Sequence, residues 1–208
     1  MPRDRHATRA RLLAAAEQLI ARDGVAAARI TAIADLAGVD KVLIYRYFGG
    51  RAQLLRALVS ERRLWPSGDE NKQELDPARD ATGSLAGDLT AMLLATARHL
   101  RAHPLSRRAA VWELGEHDEF AREFAAARDE RTRAIIATLR ARHQERLPRF
   151  VDLEAVVALL TAAVTQLALR SGAGSTFAGL DLRRAEDWRR VERALANSVH
   201  ALLGGTDG

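Results

Sequence analysis

Apolar positions recur at three- and four-residue spacing along almost the whole of this chain, and that period predicts helices. Leu12, Leu13, Ala16, Leu19 and Ile20 form such a stripe within 6–23, and Gly24 ends it. Two short helices are expected over 31–37 and 41–48, with "GV" at 38–39 turning the chain between them. Gly49 supplies the permissive backbone that ends the second. A longer helix follows from Arg51 to about Leu64. The texture then changes to "PSGDENKQELDPARD" at 66–80, whose prolines, glycine and charges read as a loop or poorly ordered connector. Five further helices are expected near 83–102, 105–115, 118–146, 152–171 and 184–203. Pro104, Gly115, Pro148 and the Gly172/Gly174/Gly179 cluster punctuate them. No stretch alternates with the period of a strand. The expected fold class is all-α, with a small bundle over 1–55 followed by a larger one over 56–208.

One spacing carries chemistry. Ala34, Gly38 and Ile44 stand 0, 4 and 10 positions along the chain. Helices that cross sharply need a small residue at their contact, a glycine able to take positive φ in the turn, and a branched apolar residue packing back. This is the pattern of a helix-turn-helix that places its second helix in the DNA major groove. On a 100° wheel Ile44 and Phe48 point to the core. Arg46, Val42 and Leu43 then face the groove, and Tyr45 and Tyr47 fall on its two flanks. Those flanking phenols are placed to reach phosphates, while Arg46 is placed to fork onto guanine. The alternative is that both tyrosines merely close a three-helix core. Lys41 suits a base edge or a phosphate, and Val42 and Leu43 suit a thymine methyl. Thr31 and Arg51, at helix N-termini, are expected at phosphates. Arg3, Arg5 and Arg9 read as a flexible basic arm or a merely solvated terminus.

The wider stretch "ITAIADLAGVDKVLIYRYFGGRAQLL", 30–55, closely resembles the N-terminal signature of TetR-family transcriptional regulators. The shared elements are Ile-Ala, Ala-Gly-Val, Ile-Tyr-x-Tyr-Phe and basic-x-x-Leu. Asp40 and Val42 depart from the family's usual Ser and Gly. Gly49-Gly50 replaces Pro-Ser, and Arg29 stands where a capping Ser or Thr is common. The resemblance implies an N-terminal three-helix helix-turn-helix DNA-binding domain and a C-terminal helical-bundle domain for effector binding and dimerisation. It implies a ligand-responsive regulator, most often a repressor, that binds a palindromic double-stranded operator as a homodimer and is released by a small molecule. The dimer is expected through 152–171 and 184–203, where "LEAVVALLTAAVTQLALRSG" is apolar nearly all round. Trp188, Val191, Leu195, Val199, Leu202 and Leu203 give the second stripe. The effector pocket is expected among helices 51–64, 83–102, 105–115 and 118–146, with Trp65, Met92, Leu93, His99, Trp112, Phe120 and Phe124 as lining.

Charge sharpens this picture. Residues 1–63 hold 12 Lys+Arg against 6 Asp+Glu, and the remainder holds 20 against 21, so the excess of the +5 net charge lies in the first third. That asymmetry fits a polyanion-binding module on a nearly neutral body. With no cysteine, disulfide scaffolds, zinc–thiolate sites and thiol catalysis are excluded. No apolar run follows the basic N-terminus, so no signal peptide is expected. The run at 155–169 reads as too short and too polar to span a bilayer, and a cytoplasmic protein without a membrane partner is expected. No catalytic constellation, metal site or cofactor is expected. The competing reading is a metal-binding helical sensor or enzyme using His99 and His103, at i, i+4, with Glu113 and His117 nearby. A third reading is a DNA-binding activator or architectural protein that ignores ligands.

Overall fold

The computed structural model of the chain describes residues 2–62, 64–65, 83–144, 151–171 and 176–203. Among these are nine helices: α1 Pro2–Asp23, α2 Ile30–Ala37, α3 Val42–Phe48, α4 Arg51–Glu61, α5 Leu85–Ala102, α6 Pro104–Gly115, α7 Glu119–His143, α8 Leu153–Arg170 and α9 Ala185–Leu203. A 3₁₀ turn covers Val25–Ala27, and a two-residue hairpin pairs Thr176 with Asp181 and Phe177 with Leu180. The fold is all-α, as the periodicity predicts. The expected connector at 66–80 and the glycines at 172 and 174 lie outside the described residues.

By packing, the chain divides into two compact units. The first joins Met1–Trp65 with His103–Arg128 and so contains the whole of 1–55. Here α1 runs through the centre, touching α2, α4, α6 and the 3₁₀ turn. Its predicted stripe is the core: Leu12, Leu13, Ala16, Leu19 and Ile20 are all buried, against Ile33, Ala34, Ile44, Leu54, Leu55 and Leu58. α1 begins at Pro2, so the backbone of the expected flexible arm is helical.

The second unit joins Pro66–Ala102 with Asp129–Gly208. In it α5 is the central helix, packed by α8 and α9. Leu89, Met92, Leu93, Ala97 and Leu100 of α5 are buried, as are Val157, Leu160 and Val164 of α8 and Trp188, Leu195 and Val199 of α9. A polar pair, Asp88 and His143, is buried with them. Asp88 Oδ2 accepts from His143 Nε2 at 2.8 Å and from Arg142 Nη1 at 3.1 Å, tying the first turn of α5 to the last of α7. α8 corrects one expectation. Its run reads from sequence as too short and too polar to span a bilayer, whereas the 18-residue helix is long and apolar enough to cross a membrane by length and composition alone.

Candidate nucleic-acid interface

The turn between α2 and α3 is built as the spacing requires. Gly38 sits at φ 62°, a left-handed backbone that side chains other than glycine rarely adopt. Val39 N–H donates to Ala34 O and Gly38 N–H to Asp35 O, both at 3.1 Å, which closes α2 with a Schellman motif. Asp40, where the family commonly has Ser, still caps: its Oδ1 accepts from Val42 N–H at 2.7 Å. Arg29, at the N-cap of α2, makes no side-chain cap bond, so that end goes uncapped by side chain. Gly49 and Gly50 take φ 89° and 153° between α3 and α4.

On α3 the wheel is largely right. Ile44 is fully buried, while Val42 and Tyr45 are 60% and 55% exposed and Lys41 and Arg46 are exposed. Leu43 and Tyr47 are half-buried. Phe48 corrects the reading. It is half-buried rather than core, at the rim of the module, where the Arg9 guanidinium lies over its ring at 4.9 Å from the centroid. The two tyrosines are also not equivalent, since Arg5 lies 5.8 Å over the Tyr47 ring and Tyr45 has no such cover among the described contacts.

Sequence alone cannot say which cations are engaged within the protein. Arg9 forks onto Glu61 at the end of α4, with Nη1–Oε2 at 2.7 Å. This charge-assisted pair holds the Glu61 carboxyl below the usual glutamate range. Arg56 pairs with Glu123 at 2.6 Å, Arg62 with Glu17 at 3.0 Å and Arg22 with Asp23 at 2.7 Å. Arg51, expected at a phosphate, is drawn inward. Its Nε donates to Ala28 O at 2.8 Å and its Nη2 to Val25 O at 3.0 Å, binding the 3₁₀ turn to the start of α4. Among the described residues Lys41, Arg46 and Arg29 make no ion pair. Arg29 is the cation sequence reasoning passed over as a poor cap. It is exposed beside Thr31, also exposed, at the N-terminal end of α2.

The proposed pocket residues fall in both units. In the first, Trp65, Phe120 and Phe124 come together in one buried aromatic cluster. Trp65 and Phe124 meet edge-to-face at 5.7 Å between centroids, and Phe120 and Phe124 stack at 6.5 Å. Trp112 is half-buried on α6, and its buried Nε1–H has no acceptor among the described residues. Met92 and Leu93, buried, and His99, half-buried, stand on α5 in the second unit. The His99/His103 pair does not share a helix. α5 ends at Ala102, and His103 is extended at φ −114°, ψ 98° because Pro104 disfavours helical backbone in the residue before it. Glu113 is ion-paired with Arg128, and among the described residues no three His, Asp or Glu side chains converge.

Comparison with known proteins fits this geometry. Residues 12–58 match the profile of bacterial regulatory proteins of the tetR family. Over 146 residues the chain is 30% identical to the HTH-type transcriptional repressor SCO4008 of Streptomyces coelicolor, covering 64% of this chain and 70% of that one. This chain belongs to the TetR family. A second relative is the probable HTH-type transcriptional regulator ArpR of Pseudomonas putida, 29% identical over 175 residues, with 77% of this chain and 78% of that one covered. Among solved structures, the fatty acid degradation regulator FadR from Bacillus halodurans has the same fold, with a TM-score of 0.64, 20% identity and 96% of each chain covered. The matched TetR segment holds α2, α3, the second half of α1 and most of α4, so the exposed face of α3 described above lies on the family's DNA-binding helix-turn-helix.

Proposed function

We propose that this TetR-family regulator is a cytoplasmic homodimeric repressor that binds a palindromic operator and is released by a small-molecule effector. The observation that carries the DNA half is the outward face of α3. Lys41, Val42, Tyr45 and Arg46 are exposed together while most other arginines of the basic first third are engaged internally. Arg46 then reads a base, Tyr45 and Tyr47 hold phosphates, and Thr31 and Arg29 flank them at the start of α2. Residues 1–55 carry this role and 56–208 carry the effector and dimer roles.

The dimer reading rests on α8. Its inner face, Leu153, Val157, Leu160, Val164 and Ala168, is buried, and α8 packs on α5. Its outer face exposes Ala155, Ala158, Leu159, Ala162 and Ala163, with Leu159 68% exposed. Small residues at that spacing allow close approach of a second copy, and two half-sites require two modules. The stripe on α9 is turned inward instead, apart from Leu202 at 47% exposed.

Trp112 supports the effector reading, since its unsatisfied indole N–H is a donor that a bound acceptor would satisfy. The test is selection of binding sites from random DNA, followed by a compound screen for release. A palindromic consensus bound with strong salt dependence is expected. Failure to enrich any sequence would refute the DNA reading. Compounds that never release the selected duplex would favour the ligand-independent regulator.

A further inference from the structure

α3 is 7 residues long, and Ile44 is its one buried side chain. α3 also packs on α4 through half-buried side chains, but with one fully buried anchor its direction depends on the turn that precedes it. The Schellman bonds of that turn occupy the carbonyls of Ala34 and Asp35. Two further carbonyls at the turn, those of Ala37 and Gly38, are taken by Arg11 of α1. Its Nη2 donates to Ala37 O and, at 3.3 Å, to Gly38 O. The cation sits where the α2 dipole presents its negative end. The fit is close, since a Cβ at position 38 would lie 3.2 Å from the same nitrogen.

We propose that Arg11 is a positioning residue for DNA reading. It pins the α2–α3 turn to α1 and thereby sets the angle at which α3 presents Lys41, Val42 and Arg46. Arg11 is exposed, so water can replace its bonds to the two carbonyls when it is removed. The fold then loses little, while the short helix loses its fixed direction. Such a residue acts on the discrimination between sequences. A phosphate contact would instead act on binding to every sequence alike.

This rests on the DNA reading above, and the test separates the two. The full-length wild type selects a duplex from random DNA. The ratio of its affinity for that duplex to its affinity for a random-sequence duplex is then measured at fixed salt, beside Arg11→Met and Arg11→Lys, with thermal unfolding of each. Arg11→Met should lower the ratio about tenfold, comparable to one mismatched base pair, with Tm within a few degrees of wild type. Arg11→Lys, which keeps the charge and a single donor head, should fall between, and it carries the test if the Met variant does not fold. Ratios equal to wild type in the folded variants overturn the proposal, even if overall affinity drops. A wild type that enriches no sequence overturns the DNA reading, and this proposal with it.

Discussion

At the scale of single residues, exposure and intramolecular pairing separate roles that composition leaves merged. Arg46 faces outward without an ion pair among the described residues, so Arg46→Ala should relax preference at one base pair of each half-site. The cost there should be about 1–3 kcal/mol, read by binding to single-base variants of the selected duplex. Tyr45→Phe keeps the ring and removes the hydroxyl. It should cost about 0.5–1.5 kcal/mol per half-site, equally across those variants. Tyr47 lies beneath Arg5, and because Tyr47→Phe keeps that ring contact and removes only the hydroxyl, a uniform loss of the same order is expected. Binding unchanged in both would leave the tyrosines as packing residues. A pH effect follows from Glu61, whose carboxyl is lowered mainly by its hydrogen bond from Arg9. A depressed carboxyl contributes stability above its unfolded-state pKa and loses it as pH falls through the folded value. Because the pair is well exposed, with side chains 33% and 41% accessible, the contribution should not exceed about 1 kcal/mol. Glu61→Gln should therefore flatten the loss of stability below about pH 4.5, seen in urea unfolding across that range.

At the scale of elements, each helix end has a local cause and each helix face a tertiary one. The breaks at Gly24, Gly38 and Gly49 are positive-φ glycines, and Pro104 both opens α6 and keeps His103 out of α5. The faces of α8 and α9 decide where dimer tests belong. Val199 is fully buried, so Val199→Glu would bury a charge within the chain and unfold it rather than split a dimer. Leu159 projects from the outer face of α8. Leu159→Glu should leave the fold intact, convert the dimer to monomer in sedimentation, and weaken binding to the selected duplex at least about tenfold through loss of the second half-site. A monomeric wild type at micromolar concentration would refute the dimer.

At the scale of the whole molecule, two units of different character are each held by their own centre. The first is built around the apolar stripe of α1. The second adds the buried Asp88–His143 pair, with Arg142 reaching Asp88 from the surface, to an apolar core. Removing Asp88 leaves the buried His143 Nε2 without its hydrogen-bond partner. Asp88→Ala should destabilise the chain by about 1–3 kcal/mol, measured in denaturant. Asp88→Asn, which keeps a hydrogen-bond acceptor, should cost less. For effector response, Trp112→Ala should change the concentration of a releasing compound needed while leaving affinity for the selected duplex within about twofold.

What the sequence alone determined is what depends on neighbours along the chain. Apolar spacing gave nine helices to within a few residues, and Ala34, Gly38 and Ile44 placed the helix-turn-helix, because turn chemistry and helical period are local. The face of α3 was legible for the same reason, since Ile44 inward fixes Arg46 outward. What only the tertiary structure decided is how long side chains are used. An arginine reaches across elements, so nothing in its own neighbourhood shows that Arg51 closes the 3₁₀ turn, Arg9 holds Glu61, or Arg11 holds the turn before α3. Nor could sequence show that Asp88 meets His143, 55 positions away, or that α9 turns its apolar stripe inward while α8 leaves part of its own uncovered. Partners distant in sequence are brought together by packing, and packing decides which charges remain for DNA.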